Sequence, residues 1–234
     1  MNNTNDYTVA GVIYKSAVLE EKQWRRKKEN NHDVKLVDDL LKKVNALGFP
    51  YKYFVDITHR NNNDKELLHI VLPYIGLFND EWFSASLVSV VGKKGCFFST
   101  ETIINHYNQL SIADKKKHFG FYDNALSRIK DKRYLNDYLK FLSTPDDAIK
   151  LPYTMIMLGK WQINEAKPYF FDYLNSNMLF LNSNIGDLVF TSIEALSYYI
   201  DTDGSILKAL ENKLLVGDKD LTKFTQKAIK RLKK

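Results

Sequence analysis

The sequence predicts an all-α fold, an α–α superhelix of about five to six stacked helical hairpins. Three observations point there. Residues 133–234 read as three helix–turn–helix units in tandem: 133–142 with 148–161, 165–174 with 184–200, and 204–215 with 221–232. In the second runs, Leu188, Ser192, Ala195 and Tyr199 recur at intervals of four, three and four, as do Leu221, Thr225, Ala228 and Leu232, so each set shares one helical face. Five prolines and ten glycines in 234 residues are few for a loop-rich all-β design. A helix pair cannot bury its apolar stripe alone, so stacking the pairs is what creates a core.

The earlier elements follow in order. Over 7–28, Val9, Val12, Ile13, Ala17 and Trp24 keep a loose helical spacing, and Arg25-Arg26-Lys27-Lys28 places cations against the helix dipole. Asn30-Asn31-His32-Asp33 reads as a break in which Asp33 caps the next helix. Over 34–47, Val37, Leu40, Leu41, Val44 and Leu47 form one stripe, closed by Gly48 and Pro50. Residues 51–58 have strand-like content but no evident partner strand, and helix is the preferred reading. Asp64 reads as a cap for 65–78, where Pro73 should bend the helix. Asn79-Asp80 cap 81–91, which stops at Gly92-Lys93-Lys94-Gly95. Residues 99–110 and 112–130 make another pair, with an interruption at Phe119-Gly120-Phe121 and a candidate loop at Lys115-Lys116-Lys117-His118. We divide the chain into an N-terminal helical segment, 1–63, and a continuous repeat array, 64–234.

Composition sets the class. Hydrophobic residues make up 44%, charged residues 26% and aromatics 13%, as in a folded soluble protein rather than a disordered chain. The single cysteine, Cys96, excludes an intrachain disulfide and suits a reducing, cytoplasmic setting. The longest apolar run, 71–78, is far shorter than the ~20 residues a membrane span needs. The formal charge of +6 is uneven: residues 143–217 hold nine acids and five bases, so the remainder carries +10. Lysine-rich clusters of this kind solvate a repeat protein or attract acidic partners.

The paired pattern resembles HEAT and HEAT-like repeats, in which an aspartate opens the second helix and a Leu-Gly or similar pair lies near its end. The matching residues are Asp80 with Val91-Gly92, Asp147 with Leu158-Gly159, and Asp218 with Ala228-Ile229. The resemblance covers about 64–234. The usual arginine early in the second helix is missing, with Ser84, Val189 and Thr222 near that place. It implies a superhelix whose second helices line a concave surface that binds another protein, as regulator, adaptor or toxin-neutralising immunity-type protein. Some alkylation-damage DNA glycosylases also resemble such arrays, so nucleic-acid binding is the alternative the resemblance carries.

No constellation predicts catalysis, a metal or a cofactor. His32, His59, His69, His106 and His118 lie in five segments, without a second ligand at helical spacing. His69 reads as a hydrogen-bonded core residue and Cys96 as buried packing. Asp146-Asp147 and the pair Asp201 and Asp203 read as caps. Two surface features remain. Asp187, Phe190, Glu194 and Tyr198 share a face beside the core stripe of 184–200, and form either a recognition patch or packing against the next second helix. Lys150, Tyr153 and Trp161 extend that surface into the preceding unit; Trp82 is a further concave-surface candidate, and with Trp161 and Glu194 it would serve the nucleic-acid alternative. Lys219, Lys223, Lys227, Lys230 and Lys234 form a basic stripe, either the polar outer face of a terminal repeat or a phosphate-tracking surface.

Overall fold

A computed structural model describes residues 9–59, 64–143, 150–175, 188–215 and 219–233; among them thirteen α-helices form and no strand does. The all-α expectation holds. The chain divides into two compact units, Met1–Ile129 and Lys130–Lys234.

The first unit holds α1 (Val9–Trp24), α2 (Asn31–Ala46), α3 (Phe54–His59), α4 (Lys65–Val71), α5 (Glu81–Val91), α6 (Thr100–Gln109) and α7 (Ile112–Ile129). The stretch of strand-like content is helix α3, and two acids explain why. Asp56 accepts from the Lys52 and Tyr53 amides at 2.8 and 2.9 Å, while Glu21 of α1 accepts from Phe54 and Val55 at 3.0 and 3.2 Å. Glu21 satisfies two first-turn donors that have no intrahelical partner, and Asp56 reaches back to fix the two residues that lead into the helix. Phe54 is fully buried, edge-on to Phe83 at 4.7 Å.

Three local expectations need correction. Asp33 does not cap α2: it lies inside that helix, buried, and accepts from Asn79 and Asp80 at 2.8 and 2.9 Å, tying α2 to the turn before α5. Pro73 ends α4 instead of bending it, and the chain continues as a 3-10 turn over Leu72–Tyr74. Helix α7 runs unbroken through Lys115 and Gly120, because His118, Tyr122, Ala125, Leu126 and Ile129 give it one continuous buried face. The predicted caps Asp64 and Asp80 are present, accepting from Leu67 and Trp82 among others.

The second unit holds α8 (Leu135–Ser143), α9 (Pro152–Lys160), α10 (Lys167–Asn175), α11 (Leu188–Leu196), α12 (Ser205–Leu214) and α13 (Lys219–Leu232). Helix α11 packs against α9, α10 and α13, and α12 packs on α13. Phe190 meets Phe224 with ring centroids 5.2 Å apart, and Glu194 meets Arg231 seven residues further along α13, so α11 and α13 run in the same direction. A Cβ on Gly159 would lie 2.4 Å from the carbonyl oxygen of Ala195, so only a glycine lets α9 approach α11 this closely. Gly92 stands in the same relation to Ala125 of α7, 2.3 Å from its Cβ. The positions 92, 125, 159, 195 and 228 carry Gly, Ala, Gly, Ala and Ala at steps of 33 to 36 residues, the first just after α5 and the others in α7, α9, α11 and α13.

Helix α9 closes with Gln162 in the left-handed region (φ 55°), where Ile163 donates to Leu158 at 3.2 Å and Gln162 to Gly159 at 2.9 Å. Asp201 accepts from Ile206 and Leu207, and Asp203 from Ser205, so both serve the start of α12 as expected. Asp146, Asp147, Gly217 and Asp218 lie outside the described residues.

Candidate functional site: an Arg–Tyr–Glu edge on the second unit

The face of α13 that turns toward α11 is set by residue order. Leu221, Thr225 and Ala228 are its buried stripe, and Phe224 and Arg231, seven apart, flank that stripe on the α11 side. Arg231 therefore reaches across. One terminal nitrogen lies 2.7 Å from Glu194 Oε1 and 2.9 Å from Ser197 Oγ, and its guanidinium sits 4.5 Å from the centroid of the Tyr198 ring. Tyr198 donates its hydroxyl to the same Glu194 oxygen at 2.7 Å. Lys160, from the last turn of α9, brings its ammonium to 5.2 Å from the Tyr198 centroid. Helices α9, α11 and α13 thus contribute to one edge.

The edge is half in water. The Arg231 side chain is 41% exposed and that of Glu194 22%. Burial pushes the Tyr198 hydroxyl pKa up, and its hydrogen bond to Glu194 adds to this while Arg231 opposes it. The phenol is a neutral donor at physiological pH. Chemically the edge offers a planar cation stacked on an aromatic ring, with one carboxylate already engaged. That composition suits recognition.

The predicted surface residues fare differently. Glu194 and Tyr198 belong to this edge. Phe190 packs edge-on against Phe224 of α13 at 5.2 Å, the packing outcome. Tyr153 stands 45% exposed on α9. Trp161, half-buried just past the end of α9, lies 6.2 Å from Tyr138, and the Lys132 ammonium sits 5.3 Å from its centroid. Lys150 is not on the surface: it is buried, and its ammonium donates to the Leu142 carbonyl at 2.7 Å beside Tyr173. Trp82 belongs to the first unit, where it packs on Phe54 and Phe83 at 5.8 and 5.0 Å. Asp187 and Lys234 lie outside the described residues. Lys219, Lys223, Lys227 and Lys230 are all exposed, on the side of α13 away from its buried stripe.

Sequence reasoning missed Arg231 and Lys160. One signal was available for the first: it is the only arginine after Arg133, in a region otherwise served by lysines. Arginine is the side chain of choice for a stacked, forked contact.

Also missed was a buried polar network in the first unit. Tyr122 of α7 donates to Glu81 of α5 at 2.6 Å and lies 2.8 Å from His106 Nδ1 of α6; His106 Nε2 is 3.4 Å from the other Glu81 oxygen. Burial pushes the Glu81 carboxyl up to about 7 against the Tyr122 hydrogen bond, and burial also pushes the His106 imidazole down. Tyr122 gives its one proton to Glu81, so its contact with His106 is made by the tautomer that donates from Nδ1. Gly76, at φ +86°, makes room, since a Cβ there would lie 2.9 Å from the His106 ring. Among the described residues no cluster of three or more His, Cys, Asp or Glu is arranged to hold a metal, and no helix is long and apolar enough to cross a membrane. Cys96 is buried, and burial pushes its thiol pKa up. No family model, curated protein or solved structure matches the chain.

Proposed function

We propose that the chain is a non-catalytic, HEAT-like repeat protein that binds another protein along the edge of its second helices. The carrying observation is Arg231: a half-exposed guanidinium from α13, stacked on Tyr198 and bonded to Glu194 of α11. Arginine and tyrosine dominate protein-interface hot spots, and here neighbouring helices hold both in place, which reduces the ordering cost of binding. Lys160 and Arg231 against Glu194 leave the edge net positive, so the complementary patch on the partner is acidic. The superhelical reading is supported by the parallel run of α11 and α13, the contact of α9 with α11, and the small residue that recurs at steps of 33 to 36 residues.

A second reading, nucleic-acid binding, draws on the four exposed lysines of α13. One experiment separates the two. The full chain and its Tyr198→Ala/Arg231→Ala variant serve as baits in parallel affinity captures, read by mass spectrometry. The protein-binding reading expects a partner held by the parent and lost from the variant. Identical captures, together with a salt-steep shift of duplex DNA that Lys223→Gln/Lys227→Gln abolishes, would overturn it in favour of nucleic acid.

A further inference from the structure

The first unit holds a second feature, unrelated to the edge above. Helix α5 ends at Val91, and the loop from Gly92 to Cys96 folds back beside the first turns of α4. Between them lies a hollow of about 430 Å³, within the range of about 300–1,000 Å³ typical of small-molecule sites. Lys65 comes from α4, and Lys93 and Lys94 from the loop; buried Leu68 and Cys96 also line it. The remaining wall is a stacked pair, His69 on Phe98, with centroids 4.1 Å apart and planes 25° from parallel. His69 is exposed, which corrects its assignment to the core. Gly95 is left-handed at φ +82°, and a Cβ there would meet no atom within 4 Å, so the loop backbone is open at that point.

The charge is one-sided. Three lysines are among the residues that line the hollow, and no acidic residue is. Burial lowers the Lys93 pKa, and the nearby Arg128 guanidinium lowers it further. Burial raises the Cys96 thiol pKa, so the thiol brings no compensating negative charge at neutral pH. Gathering cations in a partly desolvated concavity costs free energy, and an anion that enters relieves it. We propose that this hollow binds a small phosphorylated molecule, its phosphate on Lys65, Lys93 and Lys94 and a planar organic part against the His69–Phe98 stack. Phosphate accepts several charge-assisted hydrogen bonds at once, and the ring wall favours a ligand larger than the bare ion.

The test is an NMR titration of the full chain at low salt with inorganic pyrophosphate and, separately, ADP, following the amides of His69 and of residues 93–98. The expected result is saturable shifts with both, ADP saturating at the lower concentration. Lys93→Gln/Lys94→Gln should weaken both by about 10-fold, while Lys223→Gln/Lys227→Gln on α13 changes neither. Lys65→Gln provides the same readout if the loop variant does not fold. Absence of saturable binding, ADP no tighter than pyrophosphate, or binding indifferent to the loop lysines and Lys65 would each overturn the proposal.

Discussion

Each unit contains a tyrosine that donates to a glutamate beside a nitrogen base, and the two clusters do opposite things. In the first unit Tyr122, Glu81 and His106 lie inside, with the Glu81 and His106 side chains only 14% and 11% exposed. There burial favours the uncharged forms, pushing the carboxyl up to about 7 and the imidazole down, and the group stitches α5, α6 and α7 together internally. In the second unit Tyr198, Glu194 and Arg231 lie at the rim, and the base is a guanidinium that stays charged. Depth and the choice of base decide the role. A neutral ring can be buried at little electrostatic cost, whereas a permanent cation must keep water or wait for a partner.

Both units share a close glycine contact, and breaking it should cause the largest loss. Gly159→Ala drives a methyl into the main chain of Ala195, where no side chain can yield, and should cost about 3 kcal/mol in a urea melt. Tyr122→Phe leaves Glu81 and His106 without their shared partner and should cost about 2 kcal/mol, whereas Tyr198→Phe at the wet rim should cost less than about 1 kcal/mol. Equal losses would erase the contrast between the clusters.

The pH dependence sharpens it further. Folded Glu81 keeps its proton up to about 7 while the unfolded residue loses it near 4.5, so alone it removes stability as pH rises through that window. His106 alone removes stability as pH falls below 6.5, where the unfolded ring protonates and the folded ring resists. Where Glu81 is protonated only in the folded chain and His106 only in the unfolded one, each state binds one proton and the two slopes oppose each other. Glu81→Gln removes that compensation. Relative to the parent, the variant should lose up to about 1.4 kcal/mol per pH unit on acidification from 6.5 to 5, measured by denaturation at fixed pH. The smallest effect is a gain: Gln162→Gly relieves the left-handed strain after α9 and should raise stability by about 0.5–1 kcal/mol.

What the sequence disclosed divides along the same line. Asp64 and Asp80 were legible because a cap acts on amides two or three residues away. Asp33 looked identical to them but serves amides 46 and 47 residues on, a contact no local rule contains. Lys150, expected to extend the surface beside Glu194 and Tyr198, is held inside instead, because the Leu142 carbonyl that accepts from its ammonium and the Tyr173 ring beside it are set by tertiary packing. Glu81, His106 and Tyr122 come from three helices and follow no helical spacing, so neither their meeting nor their shifted protons could be read in advance. On the second unit Glu194 and Tyr198 were visible as an i, i+4 pair. Arg231, 37 residues from Glu194, was not.

The most direct test of the protein-binding edge is amide hydrogen exchange of the full chain, free and with its captured partner. Slowed exchange is expected in the last turn of α11 and across α13, with the Glu81–His106–Tyr122 region unchanged. Slowing confined to residues 9–129 would contradict it.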